Sequence, residues 1–232
     1  MIPSTFGFTA FKEIYLILLI ILMVQILVFG DSIAYGAWDR EGGWVHRLRK
    51  FVDEKNLSCE DFYCLIYNLG ISGDTTSNLL ERLELETKSR LKEGEEIVFI
   101  FAVGINDSQF IHSQNNLRTA PEKFAENVEK IIKTAQKFSA KIVFVGLFPV
   151  DERKTTPIPW NTDKSYKNEY VKKYNDIIRA VCEKNKIYFI DIFDRMKNDY
   201  QHFLEDGLHP NSFGHQKIFE SVKDFLINKK II

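Results

Sequence analysis

The sequence predicts an α/β fold, a three-layer α/β/α sandwich around a five-stranded parallel sheet, and three observations carry that reading. Five short apolar runs alternate along the chain with segments of helical spacing. The runs are nearly continuous rather than alternating, which requires burial on both faces and so a parallel sheet covered by helices. The length of 232 residues suits one such domain, with right-handed crossovers joining its strands.

The first strand, Ile26 to Phe29, runs into Gly30, Asp31 and Ser32. Trp44, Val45, Leu48, Phe51 and Val52 then follow at helical spacing. Phe62 to Tyr67 is the second strand, ending at Asn68-Leu69-Gly70. Thr75, Thr76 or Ser77 caps a helix whose apolar face holds Leu79, Leu80, Leu83 and Leu91. Ile97 to Val103 is the third strand, closed by Gly104. Pro121 opens a helix bearing Phe124, Val128, Ile131, Ile132 and Ala135. Ile142 to Phe148 is the fourth strand, and Ile187 to Ile192 the fifth. The helix between those two carries Tyr170, Val171, Tyr174, Ile177, Ile178 and Val181. A last helix carries Ile218, Phe219, Val222, Phe225 and Leu226. Pro149 to Asp163 is irregular, because its prolines oppose a regular element, and it belongs over the sheet's C-terminal edge.

Residues 1–24 read as an apolar extension, with the folded domain spanning 25–232. Ile14 to Val24 is too short to span a bilayer but has the length of a signal-peptide core. Only Lys12 precedes it, Glu13 offsets that charge, and no small-x-small cleavage site follows. The preferred reading is that translation begins at Met23 and the protein is cytoplasmic, with membrane anchoring or export through residues 14–24 as the alternatives. Cys59, Cys64 and Cys182 lack metal-ligand spacing and read as reduced thiols.

In a parallel sheet the strand ends share one rim, so the residues that follow each strand converge. Ser32 ends the first strand, Gly73 follows the second, Asn106 follows the third, and Asp206 and His209 follow the fifth. A serine nucleophile needs an imidazole to take its proton and a carboxylate to orient that ring, roles for Ser32, His209 and Asp206. The oxyanion would be held by the backbone N–H groups of Ser32 and Gly73 and by the Asn106 amide. Each feature alone has a bland reading: Ser32 as a helix cap, Gly73-Asp74 as a turn, Asn106-Asp107 as a cap pair. Together, at successive strand ends, they point to catalysis. Asp31 reads as a loop-organising carboxylate, Trp38 and Trp44 as packing residues, and Trp160 as a wall of the substrate pocket. His46, His112, His202 and His215 are given no catalytic part.

These blocks resemble the GDSL or SGNH hydrolases. GDSI at Gly30 to Ile33 stands where that family has GDSL, ISGDT supplies Gly73, GIND supplies Asn106, and DGLHP supplies Asp206 and His209. The resemblance runs from Gln25 to the C-terminus and implies a flavodoxin-like sheet of order 2-1-3-4-5 with cofactor-free hydrolysis of esters or thioesters. The G-x-S-x-G elbow of the α/β-hydrolases does not fit, since Ala34 occupies its last position.

The expected function is a serine esterase forming an acyl-enzyme from a small ester, such as a short-chain ester or an acetylated sugar. An acyltransferase using the same site and a non-catalytic binding domain of the same fold are the alternatives. A formal net charge of -1 gives no electrostatic case for nucleic acid. No HExxH motif or CxxC pair suggests a metal, and no cofactor is expected.

Overall fold

The structure, a computed structural model, describes residues 23–198 and 200–232. The extension expected at residues 1–24 therefore lies outside the described residues up to position 22. Among the described residues no helix is long and apolar enough to cross a membrane.

The central sheet is built from β1 (Met23–Gly30), β2 (Tyr63–Gly70), β3 (Glu96–Ala102), β6 (Lys141–Val145) and β8 (Tyr188–Ile190). All are parallel, in the order β2-β1-β3-β6-β8, which is 2-1-3-4-5 when only these strands are counted. Three short strands, β4 (Phe110–Ile111), β5 (Asn116–Leu117) and β7 (Lys164–Ser165), form a separate antiparallel sheet of order β5-β4-β7.

Strand side chains alternate between the two faces, and the two cores follow from that. Leu27 and Phe29 of β1 enter one core with Leu79 and Leu83 of α3 (Thr76–Lys88), Phe124 and Val128 of α4 (Pro121–Gln136), and Val171 and Ile178 of α6 (Asn168–Asn185). Ile26 and Val28 enter the other with Trp44 and Leu48 of α2 (Gly43–Ser58) and Val222 and Leu226 of α7 (Ser212–Asn228). Phenylalanines cross the first core from strand to strand. Phe29 lies 5.8 Å from Phe101, and Phe101 lies 5.0 Å from Phe144. Contacts of this kind add about 0.5–1.5 kcal/mol each beyond the burial of the rings.

Three local expectations need revision. Leu91 does not belong to α3, which stops at Lys88, and it is exposed. There Ser89 Oγ donates back to the Leu85 carbonyl at 2.8 Å and Arg90 N–H turns to Thr87, so the chain leaves the helix first. The fourth strand ends at Val145, short of Phe148. Within Pro149 to Asp163 a single helical turn, α5 (Glu152–Thr155), forms between the prolines with Asp151 as its cap. Proline excludes helix only around its own position, and the turn falls between Pro149 and Pro157. All three cysteines are free, with Cys64 and Cys182 buried and Cys59 exposed.

Candidate active site

At the end of β1 the backbone passes closer to its neighbours than a side chain would permit. A Cβ at Gly30 would sit 2.5 Å from Ala34 Cβ and 2.6 Å from the Ala102 carbonyl oxygen. The tight exit launches α1 (Ser32–Tyr35), and Asp31 rather than Ser32 is its cap, accepting the Ile33 N–H at 2.9 Å. Division of labour between neighbours frees the Ser32 hydroxyl. Asp31 thus organises the loop, as its position suggested. Burial, only partly offset by the Ile33 N–H and the charge of His209, pushes its carboxyl up to about 7.

Ser32 Oγ lies 3.0 Å from His209 Nε2, and His209 Nδ1 lies 2.7 Å from Asp206 Oδ2. The other carboxylate oxygen of Asp206 accepts the backbone N–H groups of Leu208 at 2.9 Å and His209 at 2.8 Å. Burial works against ionisation of Asp206. The His209 ring and these backbone donors outweigh it and hold the carboxyl down at about 2. The turn's carboxylate is therefore ionised across the neutral range and fixes the ring's orientation. Ser32 and His209 are both buried.

Gly73 and Asn106 line the same cavity as Ser32 and His209, a space of about 180 Å³. Gly73 has φ 85°, a left-handed conformation that favours glycine. Among the described residues neither the Ser32 nor the Gly73 backbone N–H donates to a protein acceptor. Gly70, the other glycine after the second strand, belongs to β2 itself and pairs with Gly30. The Asn106 amide is held at both ends. Its nitrogen donates to the Asp74 carbonyl at 3.0 Å, and its oxygen accepts the Tyr166 hydroxyl at 2.8 Å. Gln109 in turn donates to Tyr166 at 2.8 Å. One N–H of Asn106 remains for a ligand in the cavity.

Trp160 lines this cavity too, its ring centroid 6.4 Å from that of His209. Trp38 departs from the sequence expectation. Trp44 is fully buried as foreseen, but Trp38 is 67% exposed and its ring meets the His209 ring edge-on at 5.8 Å. A left-handed backbone at Trp38 (φ 66°) turns the indole out of the core and over the site. Trp38 and Tyr35 also line a larger groove of about 560 Å³, which shares Ser72 with the smaller cavity.

Supports beneath the site were also missed. Arg82 pairs with Asp74 at 2.9 Å and donates to the Gly30 carbonyl at 3.3 Å, tying the Gly73 loop to the strand that carries Ser32. Asp107 accepts the backbone N–H of Thr76 at 2.9 Å and its hydroxyl at 2.7 Å, locking the loop after β3 to the start of α3. Burial raises the carboxyls of both Asp74 and Asp107. Asp107 adjoins Asn106 in the GIND run, whereas nothing local in the sequence marks Arg82 or Tyr166. The other histidines stand apart: His215 is fully buried, and His112 bonds to Ser165 at 2.8 Å.

A serine, an imidazole and a carboxylate in hydrogen-bonded series, facing free N–H donors at the rim of a 2-1-3-4-5 sheet, define a fold and site suited to acyl-transfer chemistry. The model of the GDSL-like lipase/acylhydrolase family matches residues 28–217, and the chain belongs to that family, whose members are carboxylic ester hydrolases. Solved structures share the fold. A lipase/acylhydrolase from Enterococcus faecalis superposes with a TM-score of 0.69 at 22% identity, covering 89% of this chain and 97% of its own. A GDSL-like lipase from Bacteroides thetaiotaomicron gives 0.64 at 18% identity, with 88% of each chain covered. An acetyl xylan esterase from Geobacillus stearothermophilus gives 0.62 at 19% identity, covering 89% of this chain and 95% of its own. At such identities the likeness is one of fold. No curated protein matches the chain by sequence.

Proposed function

We propose that this protein hydrolyses small carboxylic esters with short acyl groups through an acyl-enzyme on Ser32. The observation that carries the proposal is the unbroken series from Ser32 Oγ through His209 to Asp206, at 3.0 and 2.7 Å. Ser32 Oγ attacks the ester carbonyl carbon while His209 Nε2 takes the hydroxyl proton. The carbonyl oxygen becomes an oxyanion between the N–H groups of Ser32 and Gly73 and the Asn106 amide. Collapse expels the alcohol, which receives the proton from His209, and leaves an ester on Ser32. Water, deprotonated by the same imidazole, then releases the acid and restores the hydroxyl.

The cavity of about 180 Å³ at Ser32 favours a short acyl group, since pockets for drug-sized ligands run from about 300 Å³ upward. Trp160 is read as a wall of this space and the groove beside Trp38 as room for the alcohol portion. The test is labelling with a fluorophosphonate together with turnover of an ester panel of graded acyl length. The expected result is an adduct on Ser32, blocked in Ser32→Ala, and a rate that falls as the acyl chain lengthens. An unlabelled Ser32 with unchanged turnover in Ser32→Ala would falsify the reading.

A further inference from the structure

The antiparallel sheet β5-β4-β7 carries a feature that ester hydrolysis alone does not require. Phe110 of β4 pairs with Leu117 on one side and Ser165 on the other. One position along, Arg118 N–H donates to the Gln109 carbonyl at 2.7 Å, extending the ladder. Because strand side chains alternate, Gln109, Arg118 and Tyr166 share one face, and Lys164, two residues before Tyr166, joins them. All four line the cavity that holds Ser32.

That face is charged in one sense only. Arg118 and Lys164 contribute two cations, and no carboxylate lines the cavity with them. Neither forms an ion pair among the described residues. The charge of Arg118 reaches the buried groups behind the cavity, lowering the carboxyl pKa at Asp74 and Asp107 against the larger effect of burial. Those two acids are already engaged, Asp74 by Arg82 and Asp107 by Thr76. Beside the cations, Gln109 is 3% exposed and its side-chain oxygen has no donor among the described residues.

We infer that the ester this site selects carries an anionic group, a carboxylate or phosphate, bound by Arg118 and Lys164, with a neighbouring hydroxyl or amide N–H donating to Gln109. A guanidinium and an ammonium flanking one cavity suit such a group. The inference rests on the proposed hydrolase reading and narrows its substrate class. The anionic group belongs to either the acyl or the alcohol portion, and matched esters distinguish the two.

The experiment compares kcat/KM for two pairs at low ionic strength: mono-p-nitrophenyl succinate against p-nitrophenyl butyrate, and 4-acetoxybenzoate against phenyl acetate. The readout is the ratio of anionic to neutral ester. Its change between variants cancels the intrinsic reactivity of each compound. In the double variant Arg118→Gln/Lys164→Gln the ratio should fall by about tenfold or more in at least one pair, and about 0.5 M NaCl should shrink it in the wild type. The swap Arg118→Lys/Lys164→Arg keeps the charges and should retain most of the preference, which separates charge from folding damage. Ratios that the double variant leaves unmoved in both pairs overturn the inference. Ser32-dependent turnover of phenyl acetate in that same outcome would leave the hydrolase reading standing. Loss of all ester turnover in the wild type would remove both.

Discussion

The Tyr166 hydroxyl donates to Asn106 Oδ1 at 2.8 Å, so a residue next to β7 sets the orientation of an amide at the end of β3. With its oxygen engaged there, the amide presents nitrogen rather than oxygen toward an oxyanion. Tyr166→Phe removes the hydroxyl and keeps the buried ring. The expected result is a drop in kcat of about tenfold with KM little changed, smaller than the roughly 100- to 1,000-fold loss expected for Asn106→Ala. Steady-state kinetics on a short-chain ester measures both. Equal losses in the two variants would mean that Tyr166 does more than orient the amide.

Asp206 supports a sharper expectation. In Asp206→Asn one side-chain oxygen still accepts the Leu208 and His209 N–H groups, so the turn survives. The amide nitrogen would then face His209 Nδ1 and favour the tautomer with its proton on Nε2, where it cannot take one from Ser32. A fall in kcat on the order of 10,000-fold is expected with the fold retained and the melting temperature lowered, since the contacts that hold the carboxyl down also stabilise the native state. Circular dichroism melts beside the kinetics check it.

Asp31 and His215 set opposite pH trends in stability. The Asp31 carboxyl, raised by burial to about 7, favours the native state below the ordinary 3.8, and that advantage is lost as the pH rises through 7. Asp31→Asn keeps an acceptor for Ile33 and should raise the melting temperature at pH 8 far more than at pH 4. The gain is on the order of 4 kcal/mol at most. An equal shift at both pH values would show that ionisation is not the cause.

Burial holds His215 down at about 4, below the ordinary 6.5, so acid protonates the unfolded chain first. Stability should therefore decline as the pH falls from 6.5 toward 4. His215→Gln should be less stable at pH 7, where the ring's packing and its acceptor for the Trp44 N–H at 3.3 Å are altered. Its decline across that window should be flatter. Thermal melts at closely spaced pH values decide it, and parallel curves would contradict the assignment.

Trp160 and Trp38 flank the His209 ring while remaining largely exposed. Trp160→Ala should raise KM several-fold and change kcat less, because on the proposed reading the indole walls the substrate pocket rather than meeting the reacting atoms. A loss confined to kcat would place its effect on His209 instead.

The sheet and its rim were readable in the sequence because both are written locally. Buried parallel strands need unbroken apolar runs such as Ile97 to Val103, and Ser32, Gly73 and Asn106 sit within a few positions of a strand's end. Asp206 and His209, well past β8, were legible from their own spacing of three. Thr75 signalled the start of α3 by its own side chain, which accepts from Asn78. What escaped depends on meetings across long stretches of chain. Tyr166 reaches Asn106 from 60 residues away, and Arg82 reaches the Gly30 carbonyl from 52. Trp38 escaped for a different reason. An indole reads as core by composition, and only a left-handed backbone at that residue turns it outward.

The small antiparallel sheet joins two segments that enter the fold separately, one after β3 and one after β6. β4 draws its partners from both, so neither segment has a complete ladder without the other. Changing the substrate range of this enzyme by grafting loops is thus a two-piece operation. A transplanted 108–120 segment would need a compatible 151–167 segment to pair with, and variation in one constrains what the other tolerates.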